Sequence, residues 1–227
     1  YVRAYAKNDF GIAYGDEVSF TTKEEVIATP EYVDLGLSVK WATFNVGATK
    51  PEDYGDYFAW GETEPKAKYG WAQYKWGNGE NKALTKYCNK ATYGEDGFTD
   101  NLTQLLPEDD AAHVNWGGNW RMPTAAEFDE LINNCTIEKS TVNGVNGYLL
   151  TSKINGNSIF LPAAGMYIGS EYNPGGTGDY WQSTLHPTIS TYLYTLGFTP
   201  EKTYVSAGTR LAMPLLSDKN TGNLHIL

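Results

Sequence analysis

The chain has 227 residues and a net charge of −10, and 14% of its residues are aromatic, including 17 Tyr and 7 Trp. This length suits one large domain plus a small module. The negative charge argues against nucleic acids and anionic membrane surfaces, which both favour Lys and Arg. No apolar run is long enough to span a membrane. The Tyr and Trp content suits a binding surface or, alternatively, an aromatic core.

The first 22 residues predict a β-hairpin. Residues 1–6 alternate, residues 8–11 read Asn-Asp-Phe-Gly as a turn, and residues 14–22 return as an extended segment. The segment resembles the last two strands of a fibronectin type III-like domain. Because a lone hairpin is marginally stable in water, we expect it to pack on the main domain or on a neighbouring chain. Residues 23–30 are expected to form a linker.

Residues 106–135 predict two capped helices around a Gly/Trp turn. Pro107 suits a first helical position, and the acids at 108–110 follow where the helix dipole favours negative charge. The Gly-Gly pair at 117–118 is expected to end this helix. The second helix begins with a capping box formed by Thr124 and Glu127. Its apolar face, which we expect in the core, consists of Phe128, Leu131, Ile132 and Cys135.

The remaining residues predict loops and short strands. Residues 43–105 are dense in Gly, Pro, Asn, Asp and Tyr, so we expect a long irregular segment, and such segments are often functional. Asn155-Gly156 between two apolar runs is a strong hairpin signal. Later strands are expected at 181–184, 192–198, 202–205 and 210–216, with a loop at 174–178 and a tail at 217–227. The predicted fold class is α+β, with two helices, a small antiparallel sheet and long loops.

Five stretches together resemble one known family. They are residues 32–41 (YVDLGLSVKW), 57–62 (YFAWGE), 106–135, 157–165 (NSIFLPAAG) and 178–184 (GDYWQST). In this order they resemble the "major paralogous" domain, first named from Fibrobacter succinogenes and abundant in Bacteroidetes surface proteins. The resemblance covers a domain at residues 31–216 and implies a variant of the C-type lectin-like fold, related to that of formylglycine-generating enzymes. Residues 210–216 (RLAMPLL) depart from the Arg-Pro-Val-like strand that usually closes the family.

The resemblance also implies an exported protein. Family members look like binding modules on secreted or lipid-anchored proteins, so we expect a cell-surface or secreted lipoprotein whose anchor lies N-terminal to this chain. In an exported protein, the even pair Cys88 and Cys135 suggests one disulfide, with two buried thiols as the alternative. Family members often carry cysteines at both positions, which favours the disulfide.

No pattern in the sequence predicts a catalytic residue, a metal ligand or a cofactor. The three histidines are scattered and lack a nucleophile motif. The acids at 108–110 could be read as a calcium site, but adjacent residues diverge around a helix, and the helix dipole explains them better. The Glu-Pro-Asn motif of calcium-dependent sugar-binding lectins is replaced by Glu64-Pro65-Lys66, which places a cation at the ligand position.

The late strands and loops contain the candidate ligand-binding residues, because this region forms the binding face in the resembled fold and because Tyr and Arg dominate binding hot spots. The candidates are Tyr167, Tyr172, His186, Tyr192, Tyr194, Tyr204 and Arg210. Strand alternation assigns some neighbouring aromatic residues to the core instead, Trp181 first among them.

Three functions remain open from the sequence. The first is an adhesin-like module that binds a glycan or a protein at a surface without calcium. The second is a structural module of a fimbrial or multidomain surface protein, whose aromatic face self-associates. The third and weakest is an enzyme of the formylglycine-generating type, which requires a reactive thiol at Cys88 or Cys135.

Overall fold

Short elements joined by turns make up this chain, as its 24 Gly and 10 Pro residues favour. The structure is a computed structural model that describes residues 2–18, 30–173, 176–198, 203–209, 213–214 and 218–219. These residues contain two short α-helices, four single-turn 3-10 helices and several small antiparallel sheets. The predicted α+β class is therefore confirmed.

The elements of the described residues follow one another in this order. The early strands are β1 (Val2–Asn8), β2 (Gly11–Val18), β3 (Tyr32–Val33), β4 (Lys40–Ala42) and β5 (Tyr57–Phe58). The 3-10 helices are Trp71–Gln73, Ala91–Tyr93, Glu95–Gly97 and Pro107–Asp109, and α1 (Ala111–Trp116), β6 (Trp120–Arg121) and α2 (Ala125–Asn134) follow. The later strands are β7 (Cys135–Val142), β8 (Val145–Ser152), β9 (Ser158–Pro162), β10 (Met166–Ile168), β11 (Glu171–Asn173), β12 (Gly178–Leu185), β13 (Tyr192–Phe198), β14 (Thr203–Thr209), β15 (Met213–Pro214) and β16 (Asp218–Lys219).

The sheets bring distant parts of the sequence together. In four of the described sheets only strands that follow one another in sequence pair, in the orders β1-β2, β7-β8-β9, β10-β11 and β12-β13-β14. By contrast, β15 returns to pair with β5, and β16 inserts between β4 and β6 in the sheet order β3-β4-β16-β6. Of the strand predicted at 210–216, Met213–Pro214 is observed, and Arg210 lies outside the described residues.

The N-terminal hairpin forms as predicted, with Asn8 paired to Gly11 across a two-residue turn. Every side chain described in it is exposed, and Phe10 is 100% and Tyr5 69% exposed. The described side chains of the hairpin are therefore not buried against the main domain, which was one of the two expected contacts. Contact with a neighbouring chain stays a prediction.

The two helices differ from the prediction at one end. Pro107 opens a 3-10 turn rather than an α-helix, and α1 begins after Asp110, whose side chain accepts hydrogen bonds from Ala112 N and His113 N. Gly117 ends α1 in the left-handed region, with φ +67°. The Thr124 capping box of α2 is confirmed. Neither α-helix of the described residues has the length and apolar character that crossing a bilayer requires.

Tyrosine and tryptophan side chains stabilise the long irregular segment before α1. The Trp60 indole donates to Gln182 O at 2.7 Å, the Tyr74 hydroxyl donates to Trp60 O at 2.9 Å, and Trp76 donates to Gly61 O at 2.7 Å. Backbone carbonyls outside regular structure need such partners when they are buried. The high Tyr and Trp content thus serves the core as well as the surface, and Trp181, fully buried, is confirmed as a core residue.

Candidate functional site: a tyrosine cluster

Five tyrosines from two distant parts of the chain pack into one cluster at the surface. They are Tyr54, Tyr57, Tyr69, Tyr167 and Tyr172. The centroids of Tyr57 and Tyr167 are 4.9 Å apart with nearly perpendicular rings, and Tyr167 lies 5.8 Å from Tyr69 and 5.5 Å from Tyr172. These separations and tilts are those that aromatic pairs favour. We refer to this group as the tyrosine cluster.

A short hairpin presents two of these rings. Tyr167 on β10 and Tyr172 on β11 are paired directly across the hairpin, so their side chains share one face. Gly169 and Ser170 make the turn, and Gly169 takes a φ of +66°, which favours glycine. The Gly169 carbonyl accepts the Tyr69 backbone N–H at 2.7 Å. This bond attaches the irregular segment that carries Tyr69 to the hairpin.

Hydrogen bonds hold the inner rings in place. The hydroxyls of Tyr57 and Tyr172 both donate to the Ala164 carbonyl, the latter at 3.2 Å. The Tyr69 hydroxyl donates to the Tyr57 carbonyl at 2.5 Å. Burial raises the pKa of Tyr57, and the neighbouring hydroxyl of Tyr172 raises it further, so this phenol stays protonated and acts as a donor. The rings are therefore fixed before any ligand arrives.

A groove of about 430 Å³ opens beside the rings of Tyr57, Tyr69 and Tyr167. Its lining consists of Gly55, Asp56, Tyr57, Pro65, Lys66, Ala67, Tyr69, Tyr167 and Ser170. Three tyrosine rings thus meet one carboxylate, one ammonium and one hydroxyl. Within the described part of the chain, the hydroxyls of Tyr167 and Ser170 make no hydrogen bond and can therefore bind a ligand.

The Lys66 ammonium at the groove is held by its own neighbours. Its Nζ lies 2.5 Å from a Glu62 carboxylate oxygen and donates to the Gln73 carbonyl at 2.6 Å. It also lies 5.9 Å from the centroid of the Tyr69 ring. Glu62 is buried and cancels this positive charge, and Asp56 adds a carboxylate to the lining. The groove therefore carries no excess of positive charge.

Comparisons with known proteins leave the family of this chain untested. No family model matches it. Searches of curated proteins and of solved structures also find no match.

The predicted ligand-binding residues do not form one face. Tyr167 and Tyr172 belong to the tyrosine cluster, whereas the His186 ring packs on Tyr194 at 4.9 Å, at the far end of β12 and β13. Tyr192 lies on the same strand face as Tyr194 and is 37% exposed. No ring contact between described residues links this second group to the cluster. Tyr204 pairs with Gly197 through its backbone, and Arg210 lies outside the described residues.

His186 has a local structural role. Its Nδ1 accepts hydrogen bonds from the backbone N–H groups of Thr188 and Ile189 at 3.3 and 3.2 Å. The Asn89 side chain donates to the carbonyls of His186 and Pro187, which fixes the turn between β12 and β13. These bonds tie the His186 ring and backbone to the turn itself. We therefore place the candidate site at the tyrosine cluster rather than around His186.

Sequence reasoning missed Tyr54, Tyr57 and Tyr69 as site residues. All three come from the segment at 43–105, whose lack of periodicity hides which side chains face outward. The usable signal was the density of tyrosines in a long irregular segment, together with the motif at 57–62, which begins at Tyr57. The pairing of this segment with β10–β11 is a tertiary contact that local patterns do not encode.

The acids at 108–110 have distinct roles that the dipole interpretation did not foresee. Glu108 is exposed, but Asp109 is 2% exposed and binds Lys86 Nζ at 2.5 Å and the Tyr87 hydroxyl at 2.6 Å. Asp110 caps α1 and accepts the Met122 N–H at 2.8 Å. The described residues contain no group of three or more acids, histidines or cysteines that could hold a metal ion.

The predicted disulfide does not form in the structure. Cys88 and Cys135 are both free thiols and both buried. Cys88 packs with Tyr69, Tyr74 and Leu84, whereas Cys135 packs in a different cluster that contains Phe128 and Leu131. The prediction failed because it relied on the cysteines that family members often carry and on the even number of cysteines. Neither observation places two residues within bonding distance of each other. The structure contains the second alternative, two buried thiols.

Proposed function

We propose that this chain is a non-enzymatic binding module that recognises a glycan through the groove of the tyrosine cluster. The observation that carries the proposal is the lining of that groove, in which Tyr57, Tyr69 and Tyr167 meet Asp56 and Lys66. A sugar ring has apolar C–H faces and a polar rim of hydroxyls. Aromatic walls contact the faces, while a carboxylate and an ammonium accept from and donate to the rim.

The anchored rings favour this role. Because Tyr57 and Tyr69 donate their hydroxyls to backbone carbonyls, their side chains lose little conformational entropy when a ligand binds. The Lys66 ammonium is likewise held by Glu62 and Gln73. A weak-binding ligand such as a sugar benefits most from a site that is already ordered.

The proposed recognition is independent of calcium. Calcium takes six to eight oxygen ligands, roughly. The groove lining includes one carboxylate, that of Asp56. The buried carboxylates of Asp109 and Asp110 bind different groups, a lysine and a backbone N–H respectively.

We also propose that residues 31–216 form a C-type lectin-like domain of the "major paralogous" family on an exported surface protein. All five motif stretches meet through hydrogen bonds, which supports their being one structural unit. Tyr57 in the second stretch donates to Ala164 in the fourth. Trp181 in the fifth stretch donates to Phe58 in the second at 3.1 Å. The short helices and small antiparallel sheets are consistent with this assignment.

A second candidate function is assembly with another chain. The observation that favours it is the exposed β1–β2 hairpin, on which Tyr5, Ile12 and Tyr14 are 50–69% exposed. Exposed apolar side chains of this kind mark contact surfaces. Light scattering on purified protein tests this function, because a Phe10→Ser/Ile12→Ser variant would dissociate a complex that this hairpin holds together.

An enzyme of the formylglycine-generating type is not favoured. Such chemistry needs a reactive thiol, and burial raises the pKa of Cys135, which keeps its sulfur protonated and unreactive. Cys88 is fully buried, and its Sγ contacts the Lys90 carbonyl at 3.1 Å.

A glycan array with and without EDTA tests the proposed function. We expect binding that resists EDTA, falls at least tenfold for Tyr167→Ala and persists for Tyr192→Ala. Tyr192 is a matched control, because it is an exposed tyrosine outside the cluster. Thermal melts of both variants verify folding. Binding lost in Tyr192→Ala but kept in Tyr167→Ala would place the site at His186, Tyr192 and Tyr194 instead. No binding to any glycan would leave assembly as the better proposal.

A further inference from the structure

The row of tyrosine rings continues past the groove onto the open surface. Tyr172 lies 5.5 Å from Tyr167, and Tyr54 lies 6.5 Å from Tyr172, measured between ring centroids. Tyr54 and Tyr172 are each 37% exposed, whereas Tyr69 at the other end is buried apart from 3% of its surface. The row therefore runs from an enclosed end to an exposed end, and each step is comparable to the length of one sugar ring.

We infer that the groove and the exposed Tyr54–Tyr172 pair are consecutive subsites for an extended neutral oligosaccharide of at least three residues. The inference rests on the proposed function and names its ligand class. One terminal or internal residue occupies the groove against Tyr167. The following residues pass over Tyr172 and then Tyr54, where their C–H faces contact the rings.

The tilt of the rings favours a single, twisted chain. The planes of Tyr167 and Tyr172 make an angle of 46°, and those of Tyr172 and Tyr54 make an angle of 39°. A flat surface of packed polysaccharide chains would need coplanar rings. A free oligosaccharide rotates from one residue to the next and can present a face to each ring in turn. The hydroxyl of Tyr172 donates to Ala164, so this orientation is held without ligand.

The charges around the row favour a neutral ligand. Lys66 is neutralised by Glu62, and Glu171 on β11 is exposed beside Tyr172. The chain as a whole carries a net charge of −10. A uronic acid or a sialylated sugar would bring a carboxylate close to Glu171 on a protein that is already negatively charged, and like charges repel.

The test is isothermal titration with length series of one to six residues. The probes are β-1,4-linked glucose, α-1,4-linked glucose, β-1,4-linked mannose and β-1,4-linked N-acetylglucosamine, with oligogalacturonate as the acidic comparison. The proteins are the wild-type chain and its Tyr172→Ala, Tyr54→Ala and Tyr192→Ala variants. Tyr192 has the same exposed fraction as the two subsite tyrosines.

We expect one neutral series to bind more tightly with each added residue up to three, by roughly threefold to tenfold per residue, the range that an aromatic contact supports. Tyr172→Ala should lower affinity for the trisaccharide by a larger factor than affinity for the monosaccharide, and Tyr54→Ala should remove the gain of the third residue. Tyr192→Ala should leave the whole series as in the wild-type chain.

Two results would overturn the inference. Affinity that does not depend on length, or that Tyr172→Ala lowers equally for one and three residues, would refute the subsites and leave the proposed groove intact. Tighter binding of oligogalacturonate would refute the neutral ligand class. Failure of every series to bind would overturn both the inference and the proposed glycan recognition.

Discussion

Replacing Asp109 by Ala is expected to destabilise the protein by about 3 kcal/mol, whereas replacing its neighbour Glu108 should change stability by less than about 0.5 kcal/mol. The two acids are adjacent in sequence and lie in the same 3-10 turn. If the helix dipole explained both, each substitution would cost up to about 1 kcal/mol, and salt would screen the effect. Comparing the two variants therefore distinguishes a buried ion pair from the helix dipole as the explanation of the acids at 108–110.

The magnitude follows from the surroundings of the Asp109 carboxylate. Its Oδ2 binds Lys86 Nζ at 2.5 Å and the Tyr87 hydroxyl at 2.6 Å, and Lys75 Nζ lies 3.6 Å from Oδ1. Removing one partner of a buried ion pair costs about 3–5 kcal/mol, because the remaining charge is left without compensation. The Lys86 side chain is 22% exposed and regains some hydration, which places the cost near the lower limit.

Urea unfolding followed by tryptophan fluorescence measures these costs, and a thermal melt gives a second estimate. For a chain of this size, a loss of about 3 kcal/mol lowers the melting temperature by about 6–12 °C. Asp109→Asn is the matched control, since it keeps the shape and one acceptor oxygen but removes the charge, and it should fall between the other two variants. The reasoning is refuted if Asp109→Ala and Glu108→Ala differ by less than 0.5 kcal/mol, or if 1 M salt makes them equal.

Three further predictions concern the capping box, a close strand contact and the thiols. Burial raises the pKa of Glu127, but hydrogen bonds from Arg121 and the N-cap hold it at about 2, below its ordinary 4.5. The stability that this carboxylate contributes is complete above pH 4.5 and is lost as the pH falls toward 2. Between pH 5 and pH 2, the unfolding free energy of the wild type should therefore fall by about 2–3 kcal/mol more than that of Glu127→Gln. Equal dependence of the two unfolding free energies on pH would contradict this. Gly147→Ala should lower the unfolding free energy by at least about 2 kcal/mol, because its Cβ would lie 2.4 Å from a carbonyl oxygen of β9, and an unchanged denaturation midpoint would show that the strands move apart freely. Ellman's reagent should detect two thiols, Cys88 and Cys135, after unfolding without reductant and neither one rapidly in the native state, whereas no thiols after unfolding would restore the disulfide.

Short sequence patterns were sufficient to predict those elements that depend only on residues close together in the chain. The capping box at Thr124 requires two residue types three positions apart, and it occurs as predicted. Asn155-Gly156 correctly placed the turn between β8 and β9. The start of α1 was less predictable, because Pro107 is compatible with a 3-10 turn as well as with an α-helix. The observed N-cap of α1 is Asp110.

The candidate site could be predicted only in part, because its halves are about a hundred residues apart. Tyr167 and Tyr172 were recognised as aromatic residues on late strands, but their partners come from the irregular segment at 43–105. Likewise, the partner of Asp109 is Lys86, which lies 23 residues earlier. A sequence pattern shows that a side chain can bind, whereas the tertiary structure decides which group it meets.

The same property of tyrosine explains both the irregular segment and the site. A tyrosine hydroxyl can satisfy a backbone carbonyl that no strand or helix pairs, while its ring remains free to pack. In the core, the Tyr74 hydroxyl does this for the Trp60 carbonyl, and both residues are buried. In the tyrosine cluster, the hydroxyls of Tyr57 and Tyr172 are bonded inward to Ala164, and their rings are left at a groove and at the open surface. A long loop held together by inward-facing hydroxyls thus presents aromatic faces to solvent, and these are the faces that we propose bind a sugar.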